Sequence, residues 1–389
     1  MSAGLTPSLG ARLAEVVEVT EAHLTDADRD AAFPVEALAA LRRTGLLGLL
    51  VPVAYGGLGG SVRDLVRGAE ILGRADMSVA MIFAMHCQQS AALVHHADER
   101  LAKALLPRVA TGEVYLASVT TEAGKGGHLS TADAQLTDAD GMLEIDRFAP
   151  VVTGGTHADG FLITMRSAGE SSTAHEVSLV YADRDQLTVQ ASGDWQPMGM
   201  RASHSAPLRL TGRVPAHQVV GEPGNFHEIA ANVFGPLAHL GWSAAWLGTA
   251  AGALSRVLRL VRGPAGRERF DVTSELLLTR LSRSRQRLDT VHALLQQAVR
   301  VVESGEDLSR AARQLLLNSL KITASEQCLA AVDELVEAVG LRDGYLKNSP
   351  TRLELAVRDL RSASLNYHND RLHLADGRLA LRDQGVTFA

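Results

Sequence analysis

The order of hydrophobic periods along the chain predicts an α+β protein: a helical segment, a β segment and a second helical segment. Two observations carry this. Apolar residues recur at three- and four-residue spacing up to about residue 115 and again after Pro223. Between them the apolar runs shorten or alternate and are bounded by Gly, Ser, Asp and Pro clusters. The expected parts are an N-terminal helical domain over 1–115, a middle β domain over 116–222 and a C-terminal helical domain over 223–389. No internal repeat or low-complexity linker separates them, so one cooperative unit is expected.

Each part has its own signals. Pro34 opens a segment in which Leu38, Leu41, Leu46 and Leu49 recur near helical spacing, and Leu65 to Leu72 and Val79 to Leu93 continue the pattern. Tyr55-Gly56-Gly57-Leu58-Gly59-Gly60 is a turn rich in glycine. It lacks the Lys-Ser/Thr ending of a phosphate loop, and no strand leads into it. In the middle part, Gly160 to Met165 and Glu176 to Tyr181 read as strands. Further on, Leu240 to Leu254 mixes large apolar residues with Ala, Gly and Ser, which suits a helix packed closely on several sides. Arg280, Arg283 and Arg287 fall at helical spacing and read as a solvated face rather than an anion site.

Composition excludes several classes. The chain has 389 residues with 46% hydrophobic content, enough for a sizeable core. A net charge of −6 and the lack of a concentrated Lys/Arg block argue against a nucleic-acid partner. The strongly apolar run Leu46 to Val53 is far shorter than the roughly 20 residues that span a bilayer, so a soluble, cytoplasmic protein without a membrane partner is expected. Cys87 and Cys328 each lie in an apolar helical pattern and read as reduced packing residues. The histidines, including His95, His96 and His157, show no metal-ligand spacing with Cys or carboxylates, and no metal is expected.

A series of motifs lies at the junctions of these parts. In order they are Tyr55 to Gly60, Val119-Thr120-Thr121-Glu122-Ala123-Gly124-Lys125-Gly126-Gly127, Val152-Thr153-Gly154-Gly155-Thr156-His157-Ala158-Asp159, Met198-Gly199-Met200-Arg201-Ala202-Ser203 with Val214-Pro215, Arg267-Glu268-Arg269-Phe270, and Arg358-Asp359. Taken in register, they resemble the successive signatures of the acyl-CoA dehydrogenase superfamily over nearly the whole chain. The resemblance implies that family's fold, with an N-terminal helical domain, a middle β-barrel domain and a C-terminal four-helix bundle. It also implies FAD, or reduced flavin supplied by a reductase, as cofactor. The partners it implies are a small-molecule or acyl-thioester substrate, a flavin reductase or electron acceptor, and further copies of the chain in a homotetramer.

An isoalloxazine ring needs donors at its pyrimidine edge, where negative charge accumulates on reduction, and a wall that excludes water. The resemblance carries this role to Thr120, Thr121, Gly126, Gly127 and Thr153. Val151 stands where the family has the tryptophan that covers the flavin. Arg267, three residues before Phe270, matches the arginine that reaches the FAD pyrophosphate of a neighbouring subunit, a dianion suited to a guanidinium. Gly340, in Glu337-Ala338-Val339-Gly340-Leu341, loosely matches the motif that holds the adenosine half.

The chain departs from the family at the catalytic base. Acyl-thioester dehydrogenation removes an α-proton while hydride leaves the β-carbon, and it needs a carboxylate beside the α-carbon. Tyr367 occupies the usual glutamate position, and the alternative position falls at Ala238-His239. Oxygenases of the same superfamily lack that glutamate and often carry a histidine in this region, which makes His368, with Tyr367, the candidate proton-handling pair. A histidine in this polar run also reads as hydrogen-bonded surface. Three functions follow, in this order: a reduced-flavin monooxygenase on a small biosynthetic substrate, an FAD-dependent dehydrogenase of an acyl-CoA or acyl-carrier-protein thioester, and a noncatalytic subunit of a heteromeric dehydrogenase.

Overall fold

A computed structural model describes residues 7–124, 129–383 and 385. The chain divides into two compact units. One comprises Met1–Leu65, Ile82–Gln196 and Arg201–Ala238; the other comprises Val66–Met81, Pro197–Met200 and His239–Ala389.

The helices of the first part are α1 (Leu9–Asp30), α2 (Val35–Arg43), α3 (Val62–Ala75), α4 (Met77–His96) and α5 (Glu99–Ala110). Ser8 caps α1 and Asp98 caps α5, each accepting a backbone N–H of the first turn. The leucine period from Leu38 to Leu49 does not run through one helix. α2 ends at Thr44, Gly45 takes a positive φ of 72°, and Leu46–Gly48 forms a separate short helical turn. The glycine-rich turn is structural punctuation: Gly56 and Gly59 have positive φ, and a Cβ on Gly57 would overlap the carbonyl of Val51. α4 is long and apolar enough to cross a membrane by composition, yet it is largely buried within the protein.

Both expected strand runs form strands, β4 (Gly160–Arg166) and β5 (Val177–Asp183). With β1 (Leu116–Val119) and β8 (Val219–Val220) they make a sheet of order β1-β4-β5-β8, in which β1 and β4 run parallel. The second sheet, β2-β3-β7-β6, is antiparallel and joins β2 (Thr137–Ala139), β3 (Met142–Ala149), β6 (Leu187–Ala191) and β7 (Leu208–Pro215). Among the described residues no strand pairing closes these two sheets into a barrel. β4 and β5 are buried along almost their whole length, whereas β3 alternates, with Leu143, Ile145, Arg147 and Ala149 turned inward.

The C-terminal part is helical: α6 (Phe226–Ile229), α7 (Gly235–Arg262), α8 (Pro264–Arg267), α9 (Glu275–Glu303), α10 (Ala311–Gly340), α11 (Leu353–Leu360) and α12 (Asn369–Ala380). α9, α11 and α12 all pack on α10. Arg280 and Arg287 do not form a solvated face: Arg280 pairs with Glu334 at 3.4 Å and Glu337 at 3.6 Å, and Arg287 donates to Gln327, all on α10. Arg283 is exposed. Cys87 and Cys328 are buried free thiols, as their spacing predicts.

Candidate functional site

The loop after β1 carries the flavin-edge candidates of the first unit. Thr121 is held from both sides: its hydroxyl donates to the Val151 carbonyl at 2.9 Å and accepts from the Val151 N–H at 3.3 Å. The Val151 side chain stands 43% exposed beside it. Thr153 exchanges a hydrogen bond with Ser205, which exchanges another with Ser203, so three hydroxyls form a chain. The Thr120 hydroxyl has no side-chain hydrogen bond among the described residues, and Gly126 and Gly127 lie outside them. Hydroxyls beside an exposed apolar side chain in the loops that follow β1 and β3 fit the pyrimidine edge of a flavin, which takes hydrogen bonds at its rim and apolar contact on its face.

Sequence reasoning missed the residue that fixes this loop. Arg147, buried on β3, pairs with Glu122 at 3.2 Å and donates to the carbonyls of Thr121 at 2.8 Å, Phe148 at 2.6 Å and Thr164 at 3.2 Å. Glu122 in turn accepts the N–H groups of Asp133 and Ala134. Burial pulls the Arg147 guanidinium below its ordinary value, and the Glu122 charge opposes that pull. Its signal was an arginine at an inward position of the alternating run Leu143, Ile145, Arg147, Ala149.

In the second unit the Met198 to Met200 motif meets the Arg358-Asp359 motif. The Asp359 carboxylate accepts the Met200 N–H at 2.6 Å, and Arg358 donates to the Met198 carbonyl at 3.0 Å. A Cβ on Gly199 would overlap the Arg358 carbonyl, so this approach requires glycine. Two signatures 160 residues apart in sequence are thus one contact.

The region of the absent base is also in this unit. His368 is 48% exposed and caps α12, its Nδ1 accepting the Asp370 N–H at 3.3 Å, with the Asp370 carboxylate 3.5 Å away. Tyr367 has a left-handed φ of 49° and a phenol pushed upward by burial, with Arg371 opposing the push. Its carbonyl accepts from Lys321, a fully buried ammonium on α10 that also donates to Asn369 Oδ1 at 2.7 Å. Asn369 passes the network on to Ser325 and Glu326, each at 3.1 Å. Lys321 Nζ lies 5.8 Å from the ring centroid of Trp246, within cation–π range.

His239, at the alternative base position, is buried on α7. Burial, reinforced by the charge of Lys321 and partly offset by a polar contact with the Leu317 backbone, pulls its imidazole down to about 4. The ring is therefore neutral near neutral pH. Burial likewise pulls Lys321 down to about 7, with Glu326 opposing. Lys321 was also missed from sequence; its signal was a lysine in phase with the buried Leu317, Ala324 and Cys328 of α10. Arg267 and Gly340 are exposed, and Phe270 is half-buried under the Arg269 guanidinium, which pairs with Asp343. Among the described residues no group of His, Cys, Asp and Glu could hold a metal ion.

Comparison with known proteins agrees with this architecture. Residues 12–113 match the acyl-CoA dehydrogenase N-terminal domain, and residues 240–369 match the acyl-CoA dehydrogenase C-terminal domain. The mitochondrial short/branched chain specific acyl-CoA dehydrogenase of Bos taurus is 23% identical over 89% of this chain and 78% of its own length. TdsC from Paenibacillus sp. A11-2, a dibenzothiophene monooxygenase solved with FMN and indole, superposes with a TM-score of 0.86 at 21% identity, covering 98% of each chain. Butyryl-CoA dehydrogenase from Megasphaera elsdenii gives 0.84 at 19% identity, covering 98% of this chain and all of that one. With both terminal domains matched and the fold shared with dehydrogenase and monooxygenase alike, the chain belongs to the acyl-CoA dehydrogenase superfamily of flavin-dependent oxidoreductases.

Proposed function

We propose that the protein is a reduced-flavin monooxygenase acting on a small biosynthetic substrate. One observation carries the reading: both positions where the family's dehydrogenases keep a carboxylate hold other groups, Tyr367 and Ala238-His239, and the buried interior beside them presents an ammonium and a neutral imidazole. Among the described residues the carboxylate in the hydrogen-bonded surroundings of Lys321 is Glu326, which connects to it through Asn369 and lies on the exposed side of α10.

When bound, a reduced flavin supplies the two electrons that let molecular oxygen place one atom on the substrate and leave the other as water. Thr120, Thr121, Val151 and Thr153 would hold its ring edge, with Arg147 fixing the Thr121 carbonyl behind them. Gly126, Gly127 and Phe270 complete that set on the family pattern; Arg267 and Gly340, both exposed, would serve the flavin of a neighbouring subunit. Proton handling falls to His368 at Nε2, since its Nδ1 is held by the Asp370 N–H, and to the Tyr367 phenol. Homologues with dehydrogenase names keep a second reading in view: His239, neutral and at the alternative base position, offers a nitrogen that could take an α-proton from an acyl thioester.

The test is to load the protein with flavin and treat it two ways. Reduced under labelled oxygen with a panel of small aromatic substrates, it should place one labelled atom in a product. Oxidised and mixed without oxygen with butyryl-CoA, its flavin should keep its visible absorbance. Bleaching by the thioester would establish the dehydrogenase instead, and failure to bind flavin would point to a noncatalytic subunit. Within the first assay, His368→Ala should slow product formation and release more hydrogen peroxide, while flavin stays bound; unchanged kinetics would remove His368 from the reaction.

A further inference from the structure

One face of α7 carries a row of buried polar groups without partners. His239, Trp242, Ser243 and Trp246 recur at helical spacing, so they share a face. Among the described residues His239 Nδ1, Trp242 Nε1, Ser243 Oγ and Trp246 Nε1 all lack a hydrogen bond. Ser243 and Trp246 are completely buried, and the His239–Trp242 and Trp242–Trp246 rings follow one another at 6.4 and 6.3 Å between centroids. Lys321 approaches the same row from α10, over the Trp246 ring and close enough to depress the His239 imidazole.

Leaving a buried donor unmade costs about 1–3 kcal/mol. Three such donors, Trp242 Nε1, Ser243 Oγ and Trp246 Nε1, on one helix face therefore mark a place that something else completes, because native interiors pair nearly all of their buried polar atoms; the neutral His239, whose other nitrogen meets the Leu317 backbone, turns a lone pair at Nδ1 to the same row and adds no donor. The chemistry of the row identifies the complement. Both indole N–H groups can only donate, the serine hydroxyl can donate, and the nearby charge is positive, so the missing group is an acceptor with negative charge. The flanking rings are aromatic and flat. We infer that the α7 face, with Lys321, binds the carboxylate of a small aromatic acid. This rests on the reading of the protein as an enzyme of small molecules, and it names the class of substrate that the site selects.

The inference has a signature in pH. The groups facing Lys321 are His239 on α7, the Tyr367 carbonyl and Asn369 before and at the start of α12, and Glu326 on α10 behind Asn369. His239 is neutral above about 4, so the ammonium that titrates near 7 is the charge that changes across neutrality.

Calorimetric titration of the full-length protein with benzoate and with benzyl alcohol tests this without turnover. Benzoate should bind roughly tenfold or more tightly than the alcohol at about pH 6, the scale of a hydrogen bond to a charged group, and lose much of that advantage at about pH 8.5. Lys321→Met should abolish the preference. Ser243→Ala removes one donor with little change in volume, so it should weaken benzoate several-fold with little change in thermal unfolding, and it carries the test if Lys321→Met does not fold; Trp246→Phe removes another donor but opens a cavity at a fully buried position, so it should weaken benzoate and lower the unfolding temperature together. Equal affinity for acid and alcohol, or no binding of benzoate, would mean that the row is completed by buried water only and would overturn the inference. Benzoate binding that is insensitive to Lys321→Met would overturn it equally. A positive result beside failed oxygen incorporation would leave the acid site standing and remove the oxygenase reading alone.

Discussion

His86 and His239 meet the same burial in opposite ways. His86 Nε2 donates to the Leu47 carbonyl at 2.8 Å and its Nδ1 accepts the Leu116 N–H at 3.1 Å, so the neutral ring joins an N-terminal turn to β1 with both nitrogens in use. Burial holds it down to about 4, with the Leu47 carbonyl opposing, Arg42 adding to the fall and Asp159 opposing it. The unfolded chain takes up a proton at this residue below about 6.5, where the folded one does not, so stability is lost as pH falls from about 6.5 to about 4. The urea midpoint should therefore drop across that window. His86→Leu should be less stable at neutral pH by about 2–4 kcal/mol, from two unpaired backbone groups, and should show a flatter acid slope. An unchanged slope would place the titration elsewhere. At this scale the sequence was least legible. Arg147 and Lys321 each break an apolar period by one residue, and such a break reads as surface until the partners that satisfy the charge, distant in sequence, are in place.

Periodicity served better for whole elements. The closely packed character expected of Leu240 to Leu254 has a specific cause: a Cβ on Gly248 would overlap the Glu70 carbonyl, and one on Gly73 would overlap the Ala245 carbonyl, so α3 and α7 touch through glycines on both sides. Gly248→Ala sets two effects against each other. Helix propensity favours alanine by about 1 kcal/mol. Overpacking costs about 1–3 kcal/mol, and here the obstacle is backbone, which cannot rotate away. The variant should unfold at lower urea; a gain in stability would mean that the helices have room to separate. The arginine row of α9 shows the limit of this kind of reading. Spacing identified the face, but only α10, with Glu334 and Gln327 opposite, decided that Arg280 and Arg287 turn inward.

At the scale of the whole molecule, the helix, sheet, helix order and the family were both legible, because they rest on many residues at once and survive the loss of any one motif. The site was legible only in part. The loop of Thr120 and Thr121 was found through resemblance, whereas the row on α7 depends on what each side chain fails to touch, which no sequence records. Assembly belongs to this scale too. Val272, Leu276, Leu341, Tyr345 and Leu346 leave apolar surface exposed near the start of α9 and the end of α10, a pattern that marks contact surfaces. Light scattering should give the mass of four chains, falling in a Leu276→Asp, Tyr345→Asp double variant; a monomeric wild type would refute the homotetramer and any role of Arg267 across an interface. The α7 row also has an optical consequence. Of the three tryptophans in the chain, Trp242 and Trp246 stand in that row, while Trp195 bonds the Arg201 carbonyl elsewhere. Two of the three indoles therefore stand in that row, with Trp246 beside Lys321, and emission should shift with pH around 7 and shift again when an acid occupies the site.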